Sequence, residues 1–105
     1  MKKDEWFPFL SSLGLSCAYH HFEEGHSPAP PFLVYWFPAS QNYGADNLAY
    51  HKGSQVRLEL YTEKKDLGLE EKIEGALDIH SLFFDKEETY LDTEKLYQVI
   101  YHLSQ

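Results

Sequence analysis

A single cysteine, Cys17, stands among the 105 residues, so no disulfide can close within the chain, which fits a reducing compartment. Basic side chains are scarce too: nine Lys and Arg face seventeen Asp and Glu, a net charge of −8. No basic run is longer than a pair such as Lys64-Lys65. A nucleic-acid backbone calls for a basic stripe that neutralises phosphates, so direct nucleic-acid binding is not expected. The longest apolar run, "APPFLVYWFPA", is too short to span a bilayer and is punctuated by prolines. The opening "MKKDEWFPFL" places two acids after its lysines and has no apolar signal core. A soluble protein with no membrane contact, not exported by the usual signal route, is the expectation. Gly-rich phosphate loops, C-x-x-C pairs and EF-hand loops are also missing from the sequence.

What the chain does have is aromatic side chains: eight Tyr, seven Phe and two Trp. A core of this size needs only some of those rings, which leaves others for the surface, where tyrosine is favoured at interfaces. The length suits one domain over residues 1–105. Trp6, Phe9, Leu10 and Leu13 share one face of a helix predicted over about 4–13, with Asp4 as its cap and Gly14 as its stop. Residues 16–22 read as a strand, and "FLVYWF" as a strand with both faces covered, by core or by a partner. Residues 39–53 combine two Gly with two Asn and read as a long loop or an irregular hairpin, the segment expected to be most mobile. In "SQVRLELYT" the period of two is strict, with Val56, Leu58 and Leu60 opposite Gln55, Arg57 and Glu59. Asp66 caps a second helix that gathers Leu69, Ile73, Ala76, Leu77 and His80 on one face. Short strands at about 82–85 and 87–91 and a longer one at 96–103 complete the chain. The order α-β-β-β-α-β-β predicts an α+β fold, an antiparallel or mixed β-sheet covered by two helices.

The stretch "CAYHHFEEGHSPAPPFLVYW" is where catalysis or metal binding would be sought. On a strand, His20 and His21 point to opposite faces, so neighbouring imidazoles would not share an ion. His21, Glu23 and His26 could form a two-histidine, one-carboxylate set, but the spacing matches no established metal motif. "GHSPA" resembles a nucleophile elbow, yet the elbow needs a helix straight after its serine, and Pro28, Pro30 and Pro31 keep the segment extended. The acidic pairs Glu23-Glu24, Glu70-Glu71 and Glu87-Glu88 read as solvated charge. No catalytic, cofactor-binding or metal-binding residue is expected, and the chain is not expected to be an enzyme.

Three segments in order, "YHHFEEGHSPAPPFLVYWFP", "NLAYHKGSQVRLELYTEKKD" with the following "LEEKIEGAL", and "YLDTEKLYQVIYHL", lie within residues 16–103. Together they resemble the small tail-completion, or head–tail joining, proteins of long-tailed phages and prophages of Gram-positive bacteria. "ELYTEKKD", "PPFLVY" and "EKLYQVIY" are the most specific parts. Leu67-Gly68 departs from the pattern, where such proteins commonly carry a proline or an acid. The resemblance implies a small α+β structural subunit with no cofactor. It would assemble with copies of itself as a ring at the head-proximal end of the tail, between the tail-tube protein and the connector. Location in the virion, and in the host cytoplasm during assembly, follows from the same resemblance.

A ring needs a heterologous interface, one surface of a subunit meeting a different surface of the next. Its expected residues are Arg57 and Glu59, on the outward face of "VRLEL", and Tyr35, Trp36 and Tyr97 on the aromatic strands. The alternative is an acidic phage-encoded binder or inhibitor of a host protein, which the charge of −8 would suit. A decoy of that kind should gather its acids on one face, whereas these are spread along the chain.

Overall fold

The structure, a computed structural model, describes residues 1–45 and 48–104. A 3-10 turn over Lys3–Glu5 leads into α1, Trp6–Ser11. The strands β1 (Ser16–Tyr19), β2 (Phe32–Trp36), β3 (Ser40–Ala45) and β4 (Leu48–Thr62) follow, then α2 (Leu67–Ile79), β5 (Phe84–Leu91) and β6 (Leu96–Ser104). Five strands run in the order β1-β2-β4-β6-β5, and β3 pairs with the first part of β4. β1 and β2 are parallel and the other pairings antiparallel, so the sheet is mixed and the fold is α+β.

Both helices sit on one face of the sheet. Alternation along the registered strands puts Leu33 and Tyr35 of β2, Val56, Leu58 and Leu60 of β4, and Val99, Tyr101 and Leu103 of β6 on that face. There they pack with Trp6 and Leu10 of α1 and Ile73 and Leu77 of α2 in one core. Trp6, Leu10, Leu58, Ile73, Leu77 and Tyr101 are fully buried. The predicted helix faces explain this packing: Phe9 meets Trp6 edge-on at 5.9 Å, and Leu69 and Ala76 flank the core from α2.

Several boundaries differ from expectation, each for a local reason. Asp4 does not cap α1; it lies inside the 3-10 turn, and the capping residue Glu5 offers no side-chain bond to the helix. Gly14 does mark the stop, at φ +83°, a conformation that favours glycine. β1 ends at Tyr19 rather than residue 22, because His20 takes φ +67° and leaves the strand. The predicted pair of strands over 82–91 is a single β5, preceded by the buried Leu82. Residues 39–53 follow the hairpin alternative: β3 pairs with β4 from Ser40↔Ser54 to Ala45↔Leu48, with a register shift at Tyr43/Gly44. Asp46 and Asn47, part of the segment expected to be mobile, lie outside the described residues.

The Asp66 cap is present, its carboxylate accepting the Leu69 N–H at 3.0 Å. Glu70, one turn into α2, is 2% exposed. Lys65 Nζ lies 2.6 Å from its Oε2 and Lys86 Nζ 2.7 Å from its Oε1. Lys65 also meets Glu88, and Lys86 meets Glu74 at 2.8 Å, so charges from β5 clamp α2 to the sheet edge. Tyr101 donates its hydroxyl to Glu74 at 2.9 Å. Burial alone would raise the Glu70 pKa, but the two ammonium groups outweigh it and hold the carboxyl below its usual range. An inward-turned lysine on an edge strand also discourages pairing with further strands.

Candidate functional site: the helix-free face of the sheet

The second face of the sheet carries no helix among the described residues. Alternation puts Phe32, Val34 and Trp36 of β2 on it, opposite Tyr61, Glu59 and Arg57 of β4. Gln98, Ile100 and His102 of β6 extend it toward Glu87 and Asp85 of β5. Rings gather at the β2 side. Phe32 stacks on Tyr61 with centroids 5.0 Å apart, and Phe22, returning from the β1–β2 connection, meets Phe32 edge-on at 5.3 Å. The Arg57 guanidinium lies over the Trp36 ring at 5.7 Å, within cation–π range.

A polar chain runs through these rings. Arg57 Nε sits 2.7 Å from Glu59 Oε2, an ion pair without an aligned hydrogen bond at that nitrogen. Tyr61 donates its hydroxyl to Glu59 Oε1 at 2.8 Å, and Gln98 Nε2 donates to the Tyr61 oxygen at 2.8 Å. Burial, then the bond to the Glu59 carboxylate, push the Tyr61 hydroxyl up to about 12. Glu59 is 8% exposed although no helix covers it, because strand neighbours and the ring of Tyr61 enclose it. Further along, His102 Nε2 lies 2.7 Å from Glu87 Oε1. The surface thus presents pinned charges between half-buried rings, the composition that interface centres favour: aromatic side chains and arginine held in place before contact.

Of the five residues expected at an interface, Trp36, Arg57 and Glu59 share this face. Glu59 is buried rather than outward in the sense predicted, engaged by Arg57 and Tyr61. Tyr35 belongs to the core on the opposite face, 6% exposed, where burial and then the neighbouring Cys17 and Tyr19 raise its pKa. Tyr97 is also on the helix side, edge-on to Tyr90 at 4.9 Å. Phe22, Phe32, Tyr61, Gln98 and Ile100 were not among the expected residues. For all but Phe22 the period-two alternation that placed Arg57 and Glu59 was a sufficient signal.

The histidines follow a different course from their strand reading. With β1 ended at Tyr19, His20 Nδ1 and His21 Nδ1 approach to 3.0 Å, and the His20 ring packs edge-on against Trp36 at 5.1 Å. His26 Nδ1 lies 3.4 Å from Glu23 Oε2, both side chains well exposed. Among the described residues no group of three or more His, Cys, Asp and Glu side chains is placed to hold a metal ion. No helix among them is long and apolar enough to cross a membrane. Comparison of the sequence with protein-family models finds no match, and comparison with curated protein sequences finds none either.

Proposed function

We propose that this chain is a virion assembly subunit of a long-tailed phage or prophage. In this reading it forms a closed ring at the head-proximal end of the tail, between the tail-tube protein and the connector. The observation that carries the reading is the helix-free face, where Trp36, Phe32 and Tyr61 surround the ion pair of Arg57 and Glu59. A monomer gains little from fixing charges and rings on a face that no helix among the described residues covers, whereas a subunit gains a contact surface whose side-chain entropy is already spent. The same face meets its neighbour through a heterologous contact, and the net charge of −8 keeps free subunits apart until a template gathers them. The ordered resemblance over residues 16–103 supplies the identity of the assembly.

Deleting the gene from a phage or inducible prophage that encodes it tests the reading, with particle morphology and titre as the readout. Separate heads and tails are expected; intact infectious particles would refute the assembly role. Complementation with Trp36→Ser tests the surface, because Trp36 is only half-buried and the protein should still fold. Normal particle yield from a folded Trp36→Ser protein would show that the interface lies elsewhere. Charge reversal at Arg57 and Glu59 is the poorer test: Glu59 is buried, so its reversal is expected to damage the fold as well.

A further inference from the structure

The turn that ends β1 has an uncommon geometry. His20 adopts φ +67° without being a glycine, and two bonds hold it there. Its N–H donates to Tyr35 O at 2.7 Å, and the His21 N–H donates back across it to Tyr19 O at 2.7 Å. That second bond spans three residues, a γ-turn with a positive central φ, which is rare and strained. The strain puts adjacent imidazoles side by side: Nδ1 to Nδ1 is 3.0 Å and the ring planes are 89° apart. Trp36 braces the His20 ring from the sheet at 5.1 Å.

We infer that His20 and His21 form a two-nitrogen chelate for a divalent transition ion that prefers tetragonal coordination, copper(II) or nickel(II). Two imidazole nitrogens that are 3.0 Å apart, each at about 2.05 Å from a shared ion, subtend about 94° at that ion. That is the cis angle of square-planar and octahedral ions, whereas a tetrahedral zinc site would hold the nitrogens about 3.4 Å apart. Without an ion, either imidazole can donate its Nδ1–H to the other's Nδ1 lone pair. On binding, the donor ring carries its proton on Nε2 instead, passed through solvent, so two Nδ1 lone pairs face the ion and no net proton is released. Water completes the coordination sphere, since both histidines are exposed. This site does not depend on the assembly reading.

Copper(II) added to the full-length, metal-free protein tests it by electron paramagnetic resonance and calorimetry. One equivalent should bind, with a tetragonal spectrum split by two equivalent nitrogens. His20→Asn keeps a residue that tolerates positive φ, and His21→Gln leaves the turn intact. Each should lower the affinity at least tenfold, and His26→Ala should not. Undiminished binding in both His20→Asn and His21→Gln overturns the inference. So does loss of the signal in His26→Ala, which would put the ion on the exposed pair of His26 and Glu23.

Discussion

Replacing Glu70 by Gln removes one negative charge from between two lysines and changes little else in shape. Breaking a fully buried ion pair costs about 3–5 kcal/mol, while an exposed one contributes about 0–1 kcal/mol. Here the carboxylate side chain is 2% exposed but its partners Lys65 and Lys86 are 35% and 33% exposed. Each lysine also keeps a second carboxylate, Glu88 or Glu74. The cost therefore falls between the limits, at about 2 kcal/mol near neutral pH. With an unfolding entropy of about 2.1 cal/mol/K per residue, that lowers the thermal midpoint of this chain by about 9 °C. The pH dependence is the sharper test. Glu70 has a depressed folded-state pKa, so its contribution is present above the unfolded carboxyl value, about 4.3, and is lost as pH falls through the folded one. Lys65 and Lys86 are raised: burial lowers each, but their carboxylate partners outweigh it. Their contribution is complete below about 10.4 and is lost as pH rises through the raised values. Urea unfolding of both proteins should show a stability gap that is flat from about pH 5 to 10 and closes on either side. A gap that persists undiminished at pH 2, or no gap at pH 7, would refute the argument.

Leu77→Ala empties a fully buried position between α2 and the sheet and should cost about 3 kcal/mol in urea unfolding; a cost under about 1 kcal/mol would mean that α2 is not docked as described. Burial, then the bond to Glu74, raises the Tyr101 pKa, so its contribution to stability is complete below about pH 10 and declines above it. Ultraviolet titration should accordingly show tyrosines that ionise late, Tyr35 and Tyr61 among them and Tyr101 last, and Tyr101→Phe should remove the last step alone; eight tyrosines ionising together near pH 10 would count against it. Thermal unfolding with and without a strong chelator should coincide, because two exposed histidines contribute little to the fold; a large fall in the midpoint would reveal a structural metal.

The α+β class, the α2 cap at Asp66, the second part of β4 and the β6 strand were legible because each rests on local chemistry: a capping carboxylate, a period of two, a period of 3.6. The face on which a strand residue lies was legible too, since Trp36 follows Tyr35 and adjacent strand residues point to opposite faces. Their shared aromatic chemistry does not override that alternation: Tyr35 enters the core and Trp36 the other face. The burial of Glu70 was hidden for another reason. Lys65 is near it in the chain, but Lys86 comes from β5, and only the docking of α2 on the sheet brings that second lysine to the carboxylate. The end of β1 was hidden because the left-handed turn is held by the carbonyls of Tyr19 and Tyr35, backbone groups that leave no trace in composition.

β4 serves two structures at once. From Leu48 to Ser54 its described pairing is with β3, from Gln55 to Thr62 it pairs with β6, and from Arg57 to Tyr61 it runs between β2 and β6. Fifteen residues at about 3.3 Å each make a rod of about 50 Å, close to the 49 Å long axis of the molecule. The strand is continuous from Leu48 to Thr62, so a pull on the hairpin is delivered along the strand axis into the centre of the sheet. Ladder hydrogen bonds lie across that axis. They therefore resist the pull in shear, as a set, rather than peeling one after another. The body of the protein is in this sense an anchor sunk around one end of a tie-rod, suited to bearing tension along its length.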